Sequence, residues 1–241
     1  MTEKLPRKLI YELDSMAAKL ITAEPEERAR LLTHLIRQEE SGNVPLSALV
    51  AMTEGELNAV SLYAVGALGR NGQPQAVTHL VRLLQSHQEE SPMLLESIVD
   101  ALGETGDSTA SPVLLELLGL QASLDSLLKR AQAWLGQFSA LAPLFKRALE
   151  QEKKRRSNRE MLLLPVIRAL GKIKDPQASA KLAPYLEHSD ALVRWHTIQN
   201  LMHSGHKEFR EPLRQLAQHD ESDLVREMAA IAVDNLTPAE P

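Results

Sequence analysis

A tripeptide that recurs at a fixed interval constrains the fold of this chain more than any other feature of its sequence. Ala-Leu-Gly occupies positions 67–69, returns at 101–103 after 34 residues, and returns at 169–171 after a further 68 residues, which is two such intervals. Apolar residues around each copy follow the three- and four-residue spacing of an amphipathic helix. A period of about 34 residues with helical patterning is typical of a solenoid of stacked helix pairs.

The period predicts an all-α fold, an α-solenoid of about six helix-pair repeats. Weaker copies of the tripeptide lie at 134–136 (Trp-Leu-Gly) and at 200–202 (Asn-Leu-Met). The predicted repeats cover about 44–72, 74–106, 108–137, 138–174, 176–206 and 207–237. Pro165 falls inside a helical stretch of the fourth repeat, so we expect it either in the first turn of that helix or at a kink.

Two amphipathic helices, predicted at 5–21 and 26–39, precede the first repeat and lack the tripeptide. The end of a solenoid needs a unit whose outer face is polar. We therefore predict that residues 1–43 form an N-terminal capping helical hairpin, that residues 44–237 form one solenoid domain, and that 238–241 are a short tail.

The composition narrows the possible functions. The 241-residue chain has a net charge of −5, which argues against a broad nucleic-acid-binding surface. It contains no Cys, so disulfides, thiolate metal sites and Cys nucleophiles are excluded. The eight His are scattered without a metal-binding spacing, and we expect no metal site. No phosphate-binding loop or hydrolase motif occurs, which argues against an enzyme without excluding one, and we expect no cofactor.

The sequence also bears on location. The first residues mix charged and apolar side chains and do not resemble a signal peptide. No apolar run approaches the roughly 18 residues that a transmembrane helix needs. We therefore predict a cytoplasmic protein without a membrane span.

The repeats resemble the HEAT repeat, and in particular the short HEAT-like type first noted in phycobilisome lyases. The motif of that type begins Asp-x-x-Val-Arg and ends Ala-Leu-Gly. Residues 190–194 match its beginning, residues 223–226 match it with one residue fewer, and residues 169–176 match its end and the following turn. The resemblance implies a right-handed solenoid. It also implies that the Asp caps a helix and the Arg ties adjacent repeats, so we expect structural roles for Asp190, Arg194, Asp223 and Arg226.

The resemblance further implies that the helix ending in Ala-Leu-Gly lines the concave face of the solenoid. In the fifth repeat Val193, Thr197 and Leu201 share the inward side of this helix, so residues two and six positions after Val193 face the other way. Reading these outward positions across the repeats, with one further neighbour, gives the candidate partner-binding residues: Glu96, Asp100, Lys129, Arg168, Trp195, Gln199 and His203.

Trp195 leaves two interpretations open. Trp is enriched at binding hot spots, so Trp195 with Gln199 and His203 could form a docking site. Alternatively, Trp195 fills the seam between the fifth and sixth repeats. Trp134 replaces the Ala of the motif at an inward position, and we expect it in the core.

A basic run is the second candidate binding feature. It consists of Lys153, Lys154, Arg155, Arg156 and Arg159. Such a run could bind nucleic-acid phosphates, a membrane surface or an acidic partner. No aromatic residue is interleaved for base stacking, and Glu150, Glu152 and Glu160 balance the charge, which favours a solvated loop.

Three functional hypotheses follow. The first is a scaffold or adaptor that binds a segment of a partner protein in the concave groove. The second, suggested by the repeat subtype, is a bilin-chromophore lyase or a lyase-like chaperone. The third is a nucleic-acid-binding helical-repeat protein, because some repeat glycosylases use Trp with Asp on a concave face; those surfaces are basic, whereas this chain is acidic.

Overall fold

The computed structural model describes residues 7–40, 44–54, 59–87, 91–119 and 160–236. Twelve helices and no strand occur in these ranges, which confirms the all-α prediction. In chain order the helices are α1 (Arg7–Thr22), α2 (Pro25–Glu40), α3 (Leu46–Thr53), α4 (Ala59–Asn71), α5 (Pro74–Ser86), α6 (Pro92–Glu104), α7 (111–119), α8 (160–173), α9 (Pro176–Ala180), α10 (Ala191–Ser204), α11 (Arg210–His219) and α12 (Asp223–Asn235). Short 3₁₀ segments cover Ser108–Ala110, Ala183–Glu187 and Lys207–Phe209.

Local sequence signals mark where helices begin and end. Pro is the first residue of four helices, namely Pro25, Pro74, Pro92 and Pro176. Its fixed φ and missing N–H suit a first helical turn, where the N–H has no intrahelical partner. Gly with positive φ follows α4, α6 and α10, at Gly72, Gly106 and Gly205. Pro165 lies at least five residues after the beginning of α8, so it is not in the first turn of that helix.

The helices alternate between two rows. We call α2, α4, α6, α8, α10 and α12 the motif row, because the Ala-Leu-Gly copies end three of its members. The other helices form the second row, in which α1 packs on α3 and α3 contacts α5. The hairpin of α1 and α2 continues this alternation, since Glu39 of α2 accepts hydrogen bonds from Arg70 of α4 at 3.2 and 3.1 Å.

The apolar core lies between the rows. The motif residues Leu68, Leu102 and Leu170 are completely buried. One buried cluster runs from α1 to the segment after α9 and includes Val193 of α10. A second cluster joins Leu186 to the remaining buried apolar residues of α10, α11 and α12. The core therefore has two parts, and they divide at α10.

The motif-row helices approach each other closely at the Gly of the tripeptide. A Cβ added to Gly69 would lie 2.7 Å from the carbonyl oxygen of Ala101, and one added to Gly103 would lie 2.8 Å from the Cα of Ala169. Backbone therefore packs on backbone between α4 and α6 and between α6 and α8. Only a residue without a side chain permits this approach.

This packing brings together two copies of the tripeptide that are distant in the sequence. Because α6 contacts α8 directly, the copies at 101–103 and 169–171 are neighbours although 68 residues separate them. The repeat predicted at 108–137 extends into residues 120–137, which lie outside the described residues. Residues 134–136, including Trp134, lie outside the described residues.

Asn200 stands where the neighbouring copies have Ala. It packs on Gly171 of α8, where an added Cβ would lie 2.9 Å from the Asn200 Nδ2 atom. That nitrogen donates hydrogen bonds to the carbonyls of Ile167, at 3.1 Å, and of His196, at 2.8 Å. The polar side chain is thus held at the contact between α8 and α10.

Arg194 ties the last two helix pairs together, as the resemblance implies. Arg194 is only 5 % exposed, and its Nε and Nη2 atoms donate to the Asp220 carboxylate at 2.9 and 2.8 Å. Its Nη1 atom donates to the carbonyls of His188 and Ser189. Asp190 caps α10, because its carboxylate accepts a bond of 2.8 Å from the Leu192 N–H.

The corresponding residues of α12 behave differently. Ser222 is the residue before the helix, and Asp223 lies in its first turn, where it pairs with Arg226. The expectation that Asp223 caps α12 is therefore wrong. Arg226 also donates to the Asp220 carbonyl at 2.6 Å, which holds the turn before its own helix rather than a further repeat.

The close helix approach predicts opposite effects for two Gly-to-Ala changes. Gly103→Ala should lower the free energy of unfolding by about 1–3 kcal/mol, because α6 and α8 must move apart. Gly66→Ala, the matched control, places its Cβ 3.5 Å from the Arg70 Nη1 atom, an ordinary contact distance, and should raise the free energy of unfolding by about 0.5–1 kcal/mol through helix propensity. Urea unfolding measures both; equal effects would contradict the backbone contact.

The buried Arg194–Asp220 pair predicts that the free energy of unfolding depends on pH. Burial opposes ionisation of Asp220, but the bonds from Arg194 and from the Ser222 N–H outweigh it, so the pKa of Asp220 lies below its ordinary value. The pair therefore stabilises the fold above about pH 4, and this stabilisation is lost as the pH falls through the lowered pKa. Asp220→Asn should cost about 3 kcal/mol at pH 7, and this difference should shrink below pH 4.

Urea unfolding of both proteins at several pH values tests this expectation. The exposed Asp234→Asn variant is the control and should follow the wild type throughout. A destabilisation of the Asp220→Asn protein that does not change between pH 7 and pH 3 would contradict the assigned role of the carboxylate.

Candidate functional site

The candidate site is the outward face of the motif row, defined as the side of α4, α6, α8, α10 and α12 that is turned away from the core. Val193, Thr197 and Leu201 are buried, which confirms the predicted inward side of α10. The residues equivalent to Val193 in the other helices are also buried: Val60, Leu94, Leu162 and Val225. The same helical positions therefore face outward in each helix.

A row of exposed apolar side chains runs across this face. It comprises Met93, Met161, Leu192 and Leu224, which are 61, 51, 47 and 46 % exposed. Each lies one position before the buried reference residue of α6, α8, α10 or α12. Single exposed apolar residues are common, whereas apolar residues repeated on consecutive helices form a patch that marks an interaction surface. We call these four residues the apolar row.

The sequence-based choice of partner-binding residues missed the apolar row, because it used only positions two and six after the buried reference residue, with one neighbour. The signal was present in the sequence. Position one before the reference is apolar in all five helices, beginning with Ala59 in α4. An apolar residue at the same solvent-facing position of these five helices is the pattern that would have identified the row.

The structure brings three candidate residues together between α6 and α8. The Arg168 Nη2 atom donates to Asp100 at 3.3 and 3.5 Å and lies 3.8 Å from a Glu96 oxygen. One turn further along, Lys172 donates to Glu104 at 2.6 Å. All these side chains are more than a third exposed. The centre of the face is thus polar, with cations and carboxylates matched across the two helices.

Trp195, Gln199 and His203 lie along α10 beside this charged centre. Trp195 is half-buried against the core cluster shared by α10, α11 and α12, and its ring contacts His196 edge-to-face at 4.6 Å. Both interpretations of Trp195 therefore keep support: it packs at the seam and retains accessible surface. His203 is exposed and donates from Nδ1 to the Gln199 carbonyl at 2.7 Å. Burial lowers the pKa of His196, which favours its neutral form.

Six of the predicted residues lie outside the described ranges. They are Lys129 and the five cations of the basic run, Lys153, Lys154, Arg155, Arg156 and Arg159. Within the described ranges, no group of three or more His, Asp or Glu is arranged to hold a metal ion. None of the described helices is both long and apolar enough to cross a membrane.

Comparisons with known proteins agree with the helical repeats. A family model described as HEAT repeats matches residues 46–136 and 155–234, which is more than two-thirds of the chain. The solved complex of CpcE and CpcF of phycocyanin lyase from Nostoc sp. PCC7120 is similar in structure, with a TM-score of 0.51 and 20 % identity over 95 % of this chain and 77 % of that chain.

A second similar structure is human deoxyhypusine hydroxylase in complex with glycerol. It has a TM-score of 0.37 and 18 % identity, over 95 % of this chain and 97 % of that chain. A comparison with curated protein sequences gives no match.

The exposure of the charged centre predicts that it contributes little to folding. Replacing Glu96 and Asp100 together (Glu96→Gln, Asp100→Asn) should change the free energy of unfolding by less than about 1 kcal/mol, because exposed ion pairs are screened by solvent. Urea unfolding of the double variant measures the change. A loss comparable to that of the buried Asp220 variant would show that these carboxylates are structural.

Proposed function

This chain belongs to the family of HEAT repeats, and we propose that it is a scaffold or adaptor that binds a segment of a partner protein along the outward face of the motif row. The family resemblance implies that this face is the concave one. The observation that carries the proposal is the apolar row, because its four residues repeat on consecutive helices and stay exposed.

The spacing of the row supports an extended or helical protein segment as the ligand. Packed helices lie about 8–10 Å apart, so a segment that crosses the motif row meets an apolar side chain at each helix. Burying these partly exposed side chains would supply the favourable free energy of binding. Trp195, beside Leu192 on α10, would add an aromatic contact of the kind enriched at binding hot spots.

The charged centre of the face, formed by Glu96, Asp100 and Arg168, supports a contribution to the specificity of partner binding rather than to its affinity. Arg168, Asp100 and Glu96 satisfy one another in the unbound protein. A partner segment must offer polar groups that replace these bonds, since a purely apolar segment would leave charges without partners. The proposed ligand therefore has apolar side chains that meet the apolar row and polar side chains near Arg168.

A second candidate function is that of a bilin-chromophore lyase or a lyase-like chaperone. The resemblance of the repeats to the type noted in phycobilisome lyases suggests this function, and the chain shares its fold with the CpcE and CpcF complex at 20 % identity. Incubation of this protein with a bilin and an apo-phycobiliprotein tests it directly. A shift of the bilin absorbance spectrum would support lyase activity, and an unchanged spectrum would leave the scaffold proposal standing.

Changing the apolar row should weaken partner binding without unfolding the protein. Leu192→Ser with Leu224→Ser should reduce capture of the partner at least about tenfold, because two side chains lose their apolar burial. Both residues are about half exposed, so circular dichroism should remain that of the wild type. The measurement is a pull-down from the host lysate, quantified by mass spectrometry against the wild-type bait.

A photocrosslinking amino acid identifies which face of this protein contacts the partner. Placed at Leu192, it should crosslink the protein that the double variant loses. Placed at Gln75, an exposed residue of α5 in the second row, it should not. Equal capture by the double variant, or crosslinking from Gln75 alone, would refute the proposed face.

A further inference from the structure

A groove in the second row is separate from the outward face. It has a volume of about 960 Å³ and lies between the 3₁₀ segment Ala183–Glu187 and α11. Leu186, Phe209 and Leu216 provide apolar walls. Leu186 is buried, whereas Phe209 and Leu216 are only half-buried, so the groove presents apolar surface to solvent.

The polar groups at the base of the groove are already satisfied. Arg194 and Asp220 line it, and they form the buried bidentate pair described above. Two backbone carbonyls accept further bonds from Arg194. A ligand therefore need not neutralise the guanidinium of Arg194. The Arg194–Asp220 pair closes the groove at its base.

The rim of the groove is acidic. Glu187, Glu208 and Glu221 line it and are exposed; the Glu221 side chain is 82 % exposed. Among the lining residues that the structure describes, Arg194 is the only Lys or Arg, and Asp220 already matches its charge. Glu221 lies 3.4 Å from the Arg194 guanidinium, and Glu208 lies 3.1 Å from His206. An apolar groove with three carboxylates at its rim complements a ligand that is both apolar and cationic.

We propose that this groove binds a second protein segment, one that carries large apolar side chains flanked by Lys or Arg. The apolar side chains enter between Leu186 and Leu216, and the cations pair with Glu187, Glu208 and Glu221. This site goes beyond the outward face: the lining residues of the groove belong to other positions, and the one that comes from a motif-row helix, Arg194, is buried.

A defined set of probes tests the chemistry of the ligand. The first is a fluorescent peptide of about twelve residues with Leu and Phe anchors separated by Lys. The second replaces each Lys by Glu, and the third replaces each anchor by Ser. Fluorescence anisotropy at one ionic strength should show saturable binding of the first peptide only, since the groove requires both apolar anchors and cations.

Charge reversal locates the site. Glu187→Lys, Glu208→Lys and Glu221→Lys together should weaken binding of the first peptide at least about tenfold, from the loss of three exposed ion pairs. The control reverses three exposed carboxylates elsewhere, Glu24→Lys, Glu26→Lys and Glu27→Lys, and so makes the same change in net charge. The control should bind as the wild type does. All six residues are exposed, and circular dichroism checks that each variant folds.

The outcomes separate this proposal from the scaffold proposal. Loss of binding in the groove variant, with retention in both the control and the Leu192→Ser, Leu224→Ser variant, supports the groove. Equal weakening in groove and control variants indicates general charge attraction and overturns it. Binding of the Ser-substituted peptide as tight as the first also overturns it. If sedimentation shows that the wild type is a dimer and the groove variant is a monomer, the occupant of the groove is a second copy of this chain. That result overturns the proposed partner.

Discussion

The approach of one helix backbone to another at the tripeptide Gly governs the rest of this structure. Gly69 and Gly103 let α4, α6 and α8 meet through main-chain atoms, and the adjacent Leu side chains fill the space between the two rows. Because the contacts at Gly69, Gly103 and Gly171 use the same motif position, the helices α4, α6, α8 and α10 are stacked in the same rotation. Equivalent residues therefore face the same way, and an apolar residue one position before the buried reference becomes a row across the surface.

The contact changes character at α10. Asn200 occupies the place of Ala, and its amide nitrogen binds two carbonyls, one of them on α8. The buried core divides near this point, and the Arg194–Asp220 pair joins the last two helix pairs by charge and hydrogen bonds. A buried polar contact loses much more than an apolar one when it is misaligned, because its groups remain without partners. These residues therefore fix the position of the last helix pairs at a cost in apolar burial.

The two proposed binding sites use the two rows differently. The outward face presents separated apolar side chains around a polar centre that satisfies itself, as suits a long segment that contacts several helices. The groove presents continuous apolar walls and an acidic rim, as suits a short basic segment. Their exposed residues do not overlap, so a ligand on one leaves the other accessible. A chain with both sites would hold two proteins together, which is the defining property of a scaffold.

The sequence by itself predicted the helices and their inward positions, because local spacing specifies which side of each helix is apolar. The role of Arg194 was predicted from the resemblance to the short HEAT-like repeat. The sequence also placed Arg168 and the carboxylates Glu96 and Asp100 on one face. Only the tertiary structure decided which repeats are neighbours: 68 residues equal two periods, yet α6 packs directly on α8. It alone formed the groove, whose walls at Leu186 and Leu216 lie 30 residues apart in the chain. The periodicity of the sequence specifies which side of each helix faces the core. Which helices are neighbours depends on which backbones fit together, because a periodic sequence allows the same close contact between several different pairs of helices.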